Sequence, residues 1–172
     1  MKVEKTKLDG VLLISPPTSH SDFRGSYVEI YNRKAYEEAG ITTDFVQDDV
    51  SVSYRHVLRG IHGDDRTTKL CWCSLGRIHH VVLNCNPKHP QYLQWQSFLL
   101  SDETRQQVLI PPRFGNSFLV LSEVAAFSYK QSTYYEGAGK QFTYRWNDPA
   151  IDIYWQIPNP ILSERDAKAP LL

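Results

Sequence analysis

Residues 69–85 read "KLCWCSLGRIHHVVLNC", two runs of β-branched, aromatic and thiol side chains on either side of a short "SLG" breaker. Short runs of that composition broken by a turn signal are strands, and the same pattern repeats in both directions. Upstream stands "FVQDDVSVSYRHVLRGI" at 45–61; downstream follow "YLQWQSFLL" at 92–100, "QQVLIPP" at 106–112, "SFLVLS" at 117–122, "VAAFSYKQSTYY" at 124–135 and "IDIYWQI" at 151–157. The breakers "GDD", "NPKHP", "PPRFGN" and "GAG" divide them. Strands that succeed one another without helices between them predict an all-β sandwich or barrel and argue against a doubly wound sheet. The one helix signal is "NRKAYEEAG" at 32–40, where Asn32 can cap, Ala35, Tyr36 and Ala39 share a side, and Gly40 ends the run.

The chain's 172 residues suit a single domain spanning 1–172, large enough to bury a core without staples. Nineteen basic and nineteen acidic residues cancel, so no global field draws the protein to nucleic acid or to an anionic membrane, and any anion must be held by a local cluster. The apolar run near the start, "VLLI", is too short for a signal peptide, and no segment is long enough to span a bilayer, which leads us to expect a cytoplasmic protein. Cys71 and Cys73 stand two apart on an expected strand, which points both the same way at roughly 6.5 to 7 Å, too far for an unstrained disulfide. With Cys85 they read as reduced core thiols.

Residues 58–70, "LRGIHGDDRTTKL", place Arg59, His62 and Lys69 among apolar positions. His62 ends one expected strand and Lys69 begins the next, so an antiparallel hairpin would bring imidazole and ammonium to one mouth of a barrel. That combination suits proton transfer: His titrates near neutrality, and a neighbouring ammonium stabilises an oxyanion. From this segment alone, a surface hairpin with solvated charges is the competing reading.

Six segments carry a resemblance. They are "DFRGSYVE" at 22–29, "VQDDVSVS" at 46–53, "LRGIH" at 58–62, "YKQSTYY" at 129–135, "WNDPAIDIYW" at 146–155 and "LSERDAKAP" at 162–170. In these the chain resembles the nucleotide-sugar epimerase family of cupins typified by dTDP-4-dehydrorhamnose 3,5-epimerase. The resemblance implies a jelly-roll β-sandwich, a homodimer in which an N-terminal strand pairs with the neighbouring subunit, and a substrate that is a 4-keto-6-deoxy sugar on a nucleoside diphosphate. The ketone acidifies the hydrogens on C3 and C5, so a base can form an enolate, and reprotonation from the other face inverts the carbon. By the same resemblance His62 is the base, Asp166 the carboxylate that orients it, Lys69 the group facing the O4 anion and Tyr129 the acid across the ring; no cofactor is required. Arg24 and Arg59 match diphosphate positions, where a charged fork suits the task. Gln47, Ser51, Glu29 and Tyr135 match positions near nucleotide or sugar. Strict alternation turns Arg59 away from the face carrying His62, so a bulge near Gly60 or a contact across the dimer is expected.

The chain also departs from that pattern. "HGDDRTTK" is shorter and more acidic than the family's loop from His to Lys, Asn116 in "RFGNSF" stands where the family carries a second His, and Asp49 stands where the dTDP-sugar enzymes have Asn. These substitutions look like the subgroup acting on GDP-linked 4-keto heptoses in polysaccharide pathways such as capsule synthesis; a dTDP-hexose is the other candidate. Asn116 can still donate to the ligand. Adjacent His79 and His80 fall on opposite faces of a strand, so no cupin metal site is expected, although either could line the pocket. A 3,4-ketoisomerase and a non-catalytic sugar-nucleotide-binding cupin are the competing functions.

Overall fold

The computed structural model describes residues 1–16 and 18–172. In chain order its elements are β1 (Lys2–Lys5), β2 (Leu12–Ser15), β3 (Thr18–Asp22), β4 (Gly25–Glu29), α1 (Arg33–Glu38), β5 (Gln47–Tyr54), β6 (Leu58–Gly63), β7 (Lys69–Leu75), β8 (Arg77–Asn84), β9 (Trp95–Ser101), β10 (Gln107–Ile110), β11 (Phe114–Val120), β12 (Val124–Gln131), β13 (Phe142–Thr143) and α2 (Glu164–Ala167). Antiparallel pairing gives a six-stranded sheet in the order β1-β2-β10-β7-β12-β5, a five-stranded sheet in the order β13-β6-β11-β8-β9, and a separate β3–β4 hairpin. This is the cupin-type all-β sandwich anticipated above.

Alternation along each strand explains why the sheets stack. Cys71, Cys73 and Phe127 from one sheet meet Ile78, Val82 and Phe118 from the other in the central core. All three cysteines are free thiols in buried positions, and burial pushes the Cys71 thiol up to about 12. The outer face of the five-stranded sheet, with Leu58, Val81, Leu83 and Leu119, is covered by Ile151, Ile153 and Trp155. The outer face of the six-stranded sheet buries Ile14, Leu70 and Leu109 against Tyr36 and Ile41. Tyr36 arrives there on α1, whose cap Asn32 accepts from the Ala35 amide at 3.3 Å and whose run ends at Gly40 with φ +83°.

Three local expectations are corrected. The segment between His62 and Lys69 is no hairpin: β6 lies in the five-stranded sheet and β7 in the six-stranded one, so residues 64–68 cross from one sheet to the other. The crossing is fastened by the Asp64 carboxylate, which accepts from the Arg66 and Thr67 amides at 2.9 and 2.7 Å. "IDIYWQI" alternates as a strand would, with Ile151, Ile153 and Trp155 buried and Tyr154 exposed, yet it forms no ladder. It lies flat across a sheet face, where side chains can interlock but backbone groups have no strand edge to pair with. A second helix, the single turn α2, is capped by Ser163, whose hydroxyl accepts from the Asp166 amide at 3.2 Å; one turn is too short to show periodicity.

Candidate active site

Between the two sheets opens a cavity of about 540 Å³, with Arg59, His62 and Asn116 on the five-stranded wall and Ser51, Lys69, Tyr129 and Gln131 on the six-stranded wall. The five-stranded wall is irregular. Asn116 pairs with His62 and Phe118 with Arg59, so two steps along β11 match three along β6, which makes a bulge at Gly60–Ile61. Gly60 has φ +113°, and a Cβ there would fall 2.6 Å from the Asn116 carbonyl oxygen and 2.8 Å from Ser117 Cα, so no larger residue fits. The extra residue turns Arg59 to the same side as His62, which resolves the alternation problem within one chain. It also frees the Gly60 amide, which donates to Asp166 Oδ2 at 3.3 Å.

Asp166 comes from the far end of the sequence. A parallel bridge between Val57 and Ile161, with the Leu58 amide donating to the Ile161 carbonyl at 3.0 Å, seats the C-terminal segment beside β6. There Asp166, only 2 % exposed, meets His62 with Nε2 to Oδ1 at 2.6 Å. Burial by itself would raise the carboxyl's pKa, but hydrogen bonds from His62, Gly60 and Ser163 outweigh it and hold Asp166 below the ordinary carboxylate range. A carboxylate accepts only, so His62 Nε2 donates to Asp166, which leaves Nδ1 as the position that can carry the ring's lone pair. This is the arrangement of an oriented base.

The six-stranded wall is regular where it lines the cavity, its one register shift lying between Ala126 and Phe127. Its strand registers set three rows across the inner face: Lys69, Gln131 and Gln47; Cys71, Tyr129 and Asp49; Cys73, Phe127 and Ser51. Lys69 is 8 % exposed, makes no ion pair among the described residues, and holds its ammonium 5.9 Å from the Tyr129 ring centroid. Burial, followed by the charge of Asp49, pushes the Tyr129 phenol up to about 12, so it stays protonated at neutral pH. Base and phenol thus stand on opposite walls.

The remaining residues divide. Arg59 Nε donates to Ser53 Oγ at 2.9 Å, which ties one sheet to the other. Asn116 Nδ2 donates weakly to the His62 carbonyl at 3.4 Å. The Ser51 hydroxyl is buried without a partner among the described residues, and Tyr135, about half exposed, sits at the rim. Gln47 does not line the cavity; its Oε1 accepts from the Tyr135 amide at 2.9 Å and so fixes the rim. Arg24 and Glu29 are outside the cavity of their own chain: they belong to the β3–β4 hairpin, where Arg24 pairs with Asp22 at 2.6 Å beside a fully exposed Phe23.

Neither His79 nor His80 lines the cavity. His79 packs on Trp155 on the outer face, whereas His80 is fully buried between Phe98 and Phe127 with neither ring nitrogen in a hydrogen bond among the described residues. Burial drives His80 down to about 3, a shift that the nearby Asn116 side chain only partly opposes. Among the described residues no three His, Cys, Asp or Glu side chains converge as ligands of one ion.

Several lining residues escaped the sequence reading, Arg165 and Gln131 among them. Arg165, next to Asp166 in "LSERD", donates to Thr143 Oγ1 at 3.0 and 2.7 Å and to Gln141 Oε1 at 3.2 Å, with no carboxylate partner among the described residues. Its place beside the dyad's carboxylate was the available signal. Gln131 carried none. With Arg59, Lys69 and Arg165 present and Asp166 engaged by His62, the cavity favours an anionic ligand.

Comparison with known proteins follows the same line. The family described as dTDP-4-dehydrorhamnose 3,5-epimerase matches residues 5–172. The chain is 39 % identical to the dTDP-4-dehydrorhamnose 3,5-epimerase of Salmonella typhimurium, an alignment covering 100 % of this chain and 96 % of that protein. Its fold is similar to the crystal structure of the Bacillus anthracis enzyme of that name with TDP and pyrophosphate bound, at TM-score 0.93 and 34 % identity, covering 99 % of each chain. It is also similar to dTDP-6-deoxy-D-glucose-3,5-epimerase from Legionella pneumophila in complex with dTDP-4-keto-L-rhamnose, at TM-score 0.92 and 35 % identity, covering 99 % of this chain and 92 % of that one.

Proposed function

The chain belongs to the dTDP-4-dehydrorhamnose 3,5-epimerase family and is an isomerase, and from that premise we propose that it inverts C3, C5 or both in a nucleoside-diphosphate 4-keto-6-deoxy sugar, by proton removal and return through an enolate. The observation that carries this reading is the His62–Asp166 dyad, with its 2.6 Å bond, facing Lys69 and Tyr129 across one cavity. His62 Nδ1 takes the proton from the carbon next to the ketone, and Asp166 stabilises the imidazolium that results. Lys69 holds the negative charge that moves onto O4. Tyr129 then delivers its phenolic proton to the opposite face of the carbon and regains one from water, while His62 releases its own. No electron acceptor enters the balance.

Arg59 and Arg165 take the diphosphate. Arg24 and Glu29 act in the cavity of a second copy. The exposed hairpin with Phe23 and Tyr27, and the unpaired edge of β5 with Val50, Val52 and Tyr54 in solvent, suit a homodimer joined through strand addition. The reaction belongs to the cytoplasm, where nucleotide sugars are made. No helix among the described residues is long and apolar enough to cross a membrane. The ligands of the similar structures favour a dTDP-linked hexose. The short 64–68 crossing and Asn116 favour a GDP-linked 4-keto heptose in a polysaccharide pathway as the second reading.

Incubation with dTDP-4-keto-6-deoxyglucose and with a GDP-linked 4-keto sugar in deuterated water is the test. Deuterium at C3 or C5 with inversion supports the epimerase. A 3-keto product would make it a ketoisomerase, and binding without exchange a non-catalytic cupin.

A further inference from the structure

Asp49 and two glutamines form a polar cluster on the six-stranded wall to which the proton-transfer chemistry assigns no role. Gln47 Nε2 donates to Asp49 Oδ1 and Oδ2 at 3.1 and 2.8 Å, and Gln131 Nε2 donates to Asp49 Oδ2 at 2.7 Å. A carboxylate accepts and never donates, so both amides must turn their nitrogen toward it. That choice fixes what each amide shows on its other side. Gln47 Oε1 receives the Tyr135 amide at 2.9 Å. Gln131, 3 % exposed and lining the cavity, has a side-chain Oε1 that accepts no hydrogen bond among the described residues.

Resting on the epimerase reading above, we propose that Asp49 is a positioning residue that locks Gln131 with its carbonyl toward the substrate. This point of the wall thereby becomes a hydrogen-bond acceptor that selects a hydroxyl of the sugar ring. The sugar is the part of the ligand within reach, because Gln131 shares a row with Lys69 and stands one row from Tyr129, the two groups that address the reacting ring. An Asn at position 49 would offer a donor of its own, which Gln131 could accept by rotating its amide, and the wall would then present NH₂ groups where the substrate also donates. The carboxylate removes that second state. Buried polar groups left facing the wrong partner are costly, which makes a single amide orientation an effective filter.

The test is calorimetric titration of the whole protein with dTDP and, separately, with dTDP-glucose, a sugar nucleotide that carries ring hydroxyls and lacks the ketone needed for turnover. The proteins are wild type, Asp49→Asn, Gln131→Met and the double variant. Each single variant is expected to weaken dTDP-glucose binding about tenfold, the usual value of one buried hydrogen bond, with dTDP affinity held within about threefold. The double variant should be no weaker than Gln131→Met alone, since Asp49 acts through Gln131. Equal losses for dTDP and dTDP-glucose would move the contact to the nucleotide and overturn the proposal, as would additive losses in the double variant. Unchanged binding by Asp49→Asn sinks this inference alone, whereas wild-type protein that binds neither ligand overturns the dTDP-linked reading of the site, and this inference with it.

Discussion

The two walls of the cavity are built on opposite principles. On the six-stranded wall, alternation unbroken over Gln47–Ser51, Lys69–Cys73 and Phe127–Gln131 delivers Lys69, Tyr129, Gln131 and Ser51 in regular rows, and the one register shift, between Ala126 and Phe127, lies beyond them. On the five-stranded wall alternation fails: His62 and Arg59 share a side only through the bulge at Gly60, and the carboxylate that holds the His62 ring arrives from α2, 104 residues later in the chain. Regular pleating suffices to place groups that bind charge or donate a proton. The oriented base needs a local defect and a long-range contact together.

If that contrast is right, damage to the irregular wall should be the more severe. His62→Ala is expected to abolish solvent exchange and inversion together, by about 10⁴, the upper end for a positioned acid or base; proton NMR of sugar recovered from deuterated buffer reads both. Undiminished exchange would remove His62 as the base. Tyr129→Phe leaves base and Lys69 in place, so deuterium should still enter while configuration is retained, with inversion slowed by about 10². Inversion at full rate would put the acid elsewhere. Gly60→Ala should lower stability by roughly 2 to 4 kcal/mol, because a positive φ and a backbone clash coincide there; chemical denaturation measures it, and a change below about 1 kcal/mol would mean the bulge relaxes freely.

Effects outside the walls should be smaller. Arg24→Ala, if the hairpin serves a second copy, is expected to raise KM about tenfold with kcat nearly unchanged, the signature of uniform binding remote from the reacting carbon. An unchanged KM would remove Arg24 from the site. The last prediction concerns acid. Asp166 has its folded pKa lowered, so its contribution to stability is complete above the ordinary carboxylate pKa near 4 and is lost as pH falls through the folded value. Asp166→Asn should therefore lose less stability than wild type between about pH 5 and pH 2 in acid titrations of the unfolding midpoint, and parallel curves would show that the dyad adds none.

The same contrast marks what could be read in advance. Period-two spacing put Cys71 and Cys73 on one side of a strand and His79 and His80 on opposite sides, and both hold: the two thiols face the central core, and the two rings lie on either face of the five-stranded sheet. What alternation cannot give is sheet membership: His62 and Lys69 looked like two arms of one hairpin and lie in different sheets. Nor does it separate a strand from an extended cover, which is why Ile151, Ile153 and Trp155 suggested a strand where none forms. The Gly60 bulge was visible as a conflict, since Arg59 and His62 could not share a face without one. Arg165 and Gln131 were missed because their roles depend on neighbours, Thr143, Gln141 and Asp49, that no local pattern connects to them.

The crossing at residues 64–68 has a further meaning once both walls are in view. It is the short tie between β6 and β7, which carry His62 and Lys69, pinned by Asp64 at its start and by the Arg113 amide donating to the Asp64 carbonyl at 2.8 Å. It works as a spacer gauge. Adding or deleting a residue there would widen or narrow the gap between base and ammonium without replacing either one. A lineage, or an engineer, could retune this scaffold to rings of different bulk by editing a stretch of chain that takes no part in the chemistry.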